Sequence, residues 1–313
     1  MGSSIILSVF IKTPPNISDK SNVTNLAAAG TSNREKLLIK AMQSLNQLPP
    51  FSPVFSKLLS SLSNENVSVA ELANWVEMDA IIAGQVLRTV NSAAYGRTCI
   101  VNNLRHAVSV LGLVKLRNLA LGLSVTRIWT QVRTPRSWSM ARFNLHSAAV
   151  AIMADQIAIY TAIEFGEGAF AAGLLHDIGR LVIALGLPEE YEALQQAHGE
   201  SGRPYVESER EVLGFSHAEL GSLILQKWNL PPQIVQAVAN LHSLTGDGAV
   251  VGSLLWALEA ADETVNRMGI SVQLQQSPAE DGLASLEGYG FSANGDAILQ
   301  SFNVEFEVLK TLF

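Results

Sequence analysis

A chain of 313 residues with 48% hydrophobic content is long enough for one large or two modest domains with real cores. Its formal net charge of −7 argues against a broad electrostatic footprint for nucleic acid or anionic membrane, which leaves proteins and small molecules as the expected partners. A single cysteine, Cys99, excludes an intrachain disulfide and a thiolate zinc site and suits a reducing cytoplasm, so any metal must use His and carboxylate ligands.

The first apolar run, Ile5 to Ile11 in "MGSSIILSVFIKTPP", lacks a basic flank and is far shorter than a membrane span. With the Ser, Thr, Asn and Pro that follow, residues 1–34 are expected to form a flexible tail. From Arg34 the hydrophobic period is helical almost everywhere, which predicts an all-α fold. "VSVAELANWVEMDAIIAGQVLRTVNSAAYG" reads as two helices, the second opened by Asp79 and closed near Gly96. Asn91, Ser92 and Tyr95 cluster at that end, where a cap and turn is the favoured reading. Leu104, Ala107, Val108 and Leu111 recur at helical spacing behind an Asn102-Asn103 cap. Periodicity breaks at Pro135, which divides a helical half at 35–134 from a second at 135–268. Residues 269–313 read as a connector followed by an amphipathic segment from Ala297 to Phe313.

The second half aims polar side chains inward. His146 is in register with Val150, Met153 and Ile157. His176 and Asp177 sit in the apolar run "AAGLLHDIGRLVIAL", read as one buried central helix. His217 shares a face with Leu220, Ile224 and Trp228, behind Ser216 and Glu219 at capping-box spacing. His242 stacks with Val235 and Val238, and Asp262 with Val251, Leu255 and Leu258. A lone inward histidine is usually a hydrogen-bonded core residue, but a buried ionised aspartate requires compensation by a cation or several donors. Four histidines and two aspartates on one core are a suitable donor set for one or two divalent cations, which a carboxylate can bridge ~3.5–4 Å apart. Arg180, one turn beyond His176, offers the other solution, a metal-free network in which it neutralises Asp177.

In this order the six residues resemble the motif of the HD superfamily of metal-dependent phosphohydrolases. "LPPFSPVFSKLLSSL" from Leu48, "MDAIIAGQVLRTVNSAAYG" from Met78, "LRHAVSVLGLVKLRNLALG" from Leu104 and "GFSHAELGSLILQKWNLP" from Gly214 are together similar to the HDOD domain, the HD-related output domain of bacterial signalling proteins, over about residues 40 to 265. The resemblance implies an all-α, multi-helix bundle in two helical halves, acting as a cytoplasmic, non-catalytic output or scaffold module through contacts with signalling proteins. The alternative it carries is a metal-dependent phosphohydrolase acting on a nucleotide or other phosphate ester. It implies His146, His176, Asp177, His217, His242 and Asp262 as ligands of one or two divalent ions (Fe, Mn, Zn or Ni), or of none, with Asp177 bridging and the candidate catalytic group. Relative to the HD-GYP type that hydrolyses cyclic di-GMP, this chain has Leu241-His242 for a histidine pair, Arg180 for a lysine and Arg142 at a position some of those enzymes fill with an acid. Loss of a donor and gain of a cation imply loss of that activity.

Overall fold

The computed structural model describes residues 32–310 apart from 50, 65, 93–99, 130, 244–248 and 274–278. The expected tail before Ser32, the thiol of Cys99, Tyr95 and the helix end expected near Gly96 lie outside the described residues. Within them the secondary structure is entirely helical.

Helix α1 (Asn33–Ser44) is followed by a group of five: α2 (Pro53–Ser60), α3 (Val69–Glu77), α4 (Ala80–Val90), α5 (Leu104–Leu111) and α6 (Leu113–Trp129). Side-chain caps start most of them. Ser68 and Glu71 close a reciprocal capping box on α3, Asp79 accepts from Ile81 and Ile82 on α4, and Asn103 accepts from His106 on α5, each cap being worth about 1 kcal/mol. Helix α4 stops at Val90, where the Asn91 side chain takes over: its Nδ2 donates to Leu87 O at 2.9 Å and Val101 O at 2.7 Å, and its Oδ1 accepts from Val101 N at 2.8 Å. Asn91 thus fastens the end of α4 to Val101.

The second group is built on α7 (Met140–Tyr160), buried on nearly every side from Phe143 to Ile157. Around it lie α8 (Ala169–Leu175), α9 (Ile178–Gly186), α10 (Pro188–Ser201), α11 (Tyr205–Leu213), α12 (His217–Lys227), α13 (Pro232–Asn240), α14 (Leu254–Arg267), α15 (Gly282–Gly288) and α16 (Gly295–Leu309). Helices α8, α14 and α16 pack directly on α7, while α9 packs on α12 and on α1. Helix α1 therefore lies against the second group. Arg34 fastens it there, with Nε donating to Gly214 O at 2.8 Å and Nη2 to Glu219 at 3.0 Å. Glu219 is used up by this contact, so Ser216 caps α12 alone, without the reciprocal half of a capping box.

The central apolar run is not one continuous helix. It breaks into α8 and α9 at His176 and Asp177, with Asp177 at φ −96, ψ 10. The segment Gly166–Gly186 is long and apolar enough to cross a membrane, but 89% of its most apolar stretch is buried inside the fold, as in the core of a globular protein.

The connector after Arg267 contains α15, and α16 docks back on α7 through Ile298, Phe302, Phe306 and Leu309. A polar cluster accompanies this contact. Glu305 pairs with Lys115 and accepts from Gln156 at 2.8 Å, and Asn118 donates to buried Asp155 at 2.9 Å. Burial and then the Glu305 charge push the Asp155 carboxyl up to about 7, against partial opposition from Lys115, Asn118 and Arg117. A carboxyl raised in the fold keeps its proton there while the unfolded chain has lost it, so stability should fall as pH rises from about 4 to 7. Asp155→Asn keeps the acceptor and removes the ionisation. Denaturant titrations across pH 4–8 should show a flatter profile for the variant, which exceeds wild type above pH 7 by on the order of 2 kcal/mol.

Candidate metal centre

Two close backbone approaches position the His-Asp pair. A Cβ on Gly173 would lie 2.7 Å from Val150 O and from Ala151 Cα of α7, and one on Gly179 would lie 2.0 Å from His217 O of α12. Only hydrogen fits at these crossings, so α8 is drawn onto α7 and α9 onto α12, with His176 and Asp177 at the break between them.

All six sequence-selected side chains meet here. His146 Nε2 lies 3.3 Å from His176 Nε2, 3.2 Å from Asp262 Oδ1 and 3.6 Å from Asp177 Oδ2. His176 Nε2 is 3.6 Å from both Asp177 Oδ1 and Asp262 Oδ1. His217 Nε2 is 3.2 Å from that same Asp177 Oδ1, and His242 Nε2 is 3.5 Å from the second oxygen of Asp262, Oδ2. The stacks expected for two of them are different in detail. His242 lies beyond the end of α13, at φ 61, a backbone conformation rare for residues with a side chain. Val251 precedes α14 and is 74% exposed, so only the helix from Leu254 onward carries Asp262 inward.

Ring orientation is set from behind. A carbonyl can only accept, so His146 donates through Nδ1 to Ile270 O at 2.8 Å and His176 through Nδ1 to Gly173 O at 2.7 Å. His217 Nδ1 faces Glu209 Oε2 at 2.6 Å, and the same oxygen accepts from His217 N at 2.9 Å. The Nε2 lone pairs are thereby turned toward the two aspartates, the arrangement by which outer partners fix the ligating tautomer of histidine. Glu209 escaped the sequence reading, although its spacing from Val206 and Leu213 puts it on the buried face of α11. Glu209→Ala should destabilise the fold by about 1–3 kcal/mol, because the buried His217 N–H and ring Nδ1 both lose their acceptor, measured by urea denaturation in the presence of chelator.

The electrostatics favour a cation. Burial disfavours an ionised Asp177, yet Arg180 and then His176, His217 and His146 hold its carboxyl well below the usual range. Asp262 is likewise held low against burial, chiefly by the adjoining His146 and His176 rings. Burial opposes protonation of His176, but Asp177 and Asp262 outweigh it and raise its pKa. Burial depresses His242 to about 4 despite Asp262, leaving it neutral near pH 7.

These residues fit a divalent metal. Two neutral imidazoles that both donate through Nδ1 would set their Nε2 lone pairs against each other at 3.3 Å, a repulsion that a proton or a cation between them removes. His146, His176 and Asp262 each offer a ligand atom within 4.8 Å of the others. Both oxygens of Asp177 are buried without a hydrogen-bond partner, as expected of a carboxylate that faces a cation, and His217 Nε2 and His242 Nε2 also have none. Arg180 Nε stands 2.9 Å from Asp177 Oδ1 without hydrogen-bond alignment, and its guanidinium lies 4.9 Å from the Tyr205 ring centroid. Arg142 is turned away to the connector, where Nε donates to Val272 O at 3.1 Å.

Fold and site together define an all-helical domain folded around a buried His/Asp centre. The family model of the HDOD domain matches residues 48–244, and the chain belongs to that family. Asp262, Ile270 and Val272 lie beyond the matched segment, so the centre is completed from outside it. A relative from Treponema pallidum (strain Nichols) is 24% identical over 272 residues, 85% of this chain and 49% of the relative, so the chain spans about half the length of that protein. An HDOD domain protein from Geobacter sulfurreducens has a similar structure, with TM-score 0.72 and 20% identity over 89% of this chain and 99% of that one. A candidate phosphohydrolase from Shewanella amazonensis SB2B follows at TM-score 0.68 and 23% identity, covering 88% of this chain and 98% of that one. A candidate signal transduction protein from Marinobacter aquaeolei VT8 has TM-score 0.64 and 19% identity over 91% and 67%. At these identities the likeness is one of fold.

Proposed function

We propose that the chain is a bacterial, cytoplasmic signal-transduction output module that acts through contacts with signalling proteins, and that its His/Asp centre holds a divalent ion as a structural keystone rather than for turnover. The observation that carries this reading is burial. His146, His176, Asp177, His217 and Asp262 are each no more than 4% exposed, and a phosphate ester must reach the metal to be hydrolysed. In this reading His146, His176 and Asp262 hold the ion, Asp177 faces it, and the ion ties α7, the α8–α9 break and α14 together. A bound divalent ion would supply Lewis acidity and an acidified water. Asp177, engaged by Arg180, is then a poor partner for such a water.

The signalling name borne by the Marinobacter protein is consistent with this role. The alternative, a metal-dependent phosphohydrolase, has two supports. The His242 side chain is 28% exposed and is the open edge of the centre, and the Shewanella protein carries the phosphohydrolase name. Elemental analysis of protein purified without chelator, beside His176→Ala and Asp177→Ala, tests the metal. Wild type should carry Fe, Mn, Zn or Ni that both variants lack, and equal metal in all three would end the metal reading. Metal-dependent phosphate release from a nucleotide panel, abolished in Asp177→Ala, would replace the scaffold role by the enzymatic one.

A further inference from the structure

The centre has two faces joined by two carboxylates. On one face His146, His176 and Asp262 Oδ1 converge. On the other, His217 approaches Asp177 Oδ1 at 3.2 Å and His242 approaches Asp262 Oδ2 at 3.5 Å, with the two rings 5.3 Å apart. By donor type the second face would suit an ion as well as the first. What distinguishes it is Arg180, whose Nε stands 2.9 Å from Asp177 Oδ1, the oxygen that His217 approaches at 3.2 Å and His176 at 3.6 Å.

Arg180 is held in place rather than parked by chance. Its guanidinium lies over the Tyr205 ring of α11, and Glu209, on the same helix, grips His217. Charge counting gives the consequence. Asp177, Asp262 and Glu209 supply three negative charges and Arg180 one positive, so a single divalent ion brings the buried cluster to neutrality. A second would leave two uncompensated positive charges in a water-poor interior, which is strongly unfavourable.

Resting on the metal reading above, we propose that Arg180 limits the centre to one divalent ion, bound on the His146–His176–Asp262 face, by occupying the side of Asp177 at which a second ion would bridge to His217 and His242. The guanidinium is a built-in substitute for that second cation.

Equilibrium dialysis against Mn²⁺ with elemental quantitation tests this on wild type, Arg180→Gln and Arg180→Lys. Wild type and the lysine variant should bind one ion per chain and the glutamine variant two. Two ions in wild type, or one in a folded glutamine variant, overturns the role of Arg180 while leaving the metal reading intact. No ion in wild type removes both. If Arg180→Gln loses helical circular dichroism, Arg180→Met, which keeps an apolar stem over Tyr205, takes its place under the same criterion. The electron paramagnetic resonance of Mn²⁺-loaded wild type gives an independent readout. An isolated-ion six-line spectrum is expected, and a spin-coupled pair would contradict the proposal whatever the variants do.

Discussion

Gly179→Ala should destabilise the protein by about 3 kcal/mol or more, although alanine is favoured over glycine inside a helix by about 1 kcal/mol. The sign is reversed by the crossing of α9 and α12, where the added methyl would sit 2.0 Å from His217 O and 2.8 Å from its carbonyl carbon. No side-chain rotation relieves a contact with backbone, so the two helices must separate. His217 opens α12 and faces Asp177 at 3.2 Å, so the same displacement should open the centre. Urea denaturation should show the loss, and added Mn²⁺ should no longer raise the thermal midpoint. Gly84→Ala is the control, since its new Cβ would meet nothing within 4 Å. That variant should be neutral or slightly stabilised.

Asp177→Ala is expected to destabilise the metal-free protein by about 3–5 kcal/mol, the range found when one partner of a buried ion pair is removed. Arg180 is the residue left stranded. Its side chain is 13% exposed and its guanidinium contacts Asp177 Oδ1, so loss of the carboxylate leaves a buried positive charge with Tyr205 beneath it. Denaturation in the presence of chelator measures this directly. Adding Arg180→Met to Asp177→Ala should restore a large part of the loss, because the stranded charge goes with it. A near-neutral single variant would mean that Arg180 reaches solvent at little cost and does not need Asp177.

The helical class and the inward histidines and aspartates were legible because periodicity reports which side of a helix is buried. His146 with Val150, Met153 and Ile157 is an example, every one of them buried in α7. Periodicity is silent on a break between two segments that are both buried all round, which is why the interruption at His176–Asp177 reads as continuous helix. The glycines at 173 and 179 were the available sign of it, since a close backbone approach on each side of the pair requires them. His242 and Val251 lie just outside helix ends, where the phase of a stack no longer applies. The carbonyls of Gly173 and Ile270, which orient two of the rings, have no residue-type signature at all. Glu209 was accessible only by asking why an acid shares the face of Val206 and Leu213.

A divalent ion among His146, His176 and Asp262 is the feature on which the proposed role of the centre depends. Anomalous diffraction at the manganese edge from crystals grown with Mn²⁺ tests it in one measurement. A single peak is expected within bonding distance of His146 Nε2, His176 Nε2 and Asp262 Oδ1. Crystals that show no peak at that position, with the two imidazoles still facing each other, would contradict it.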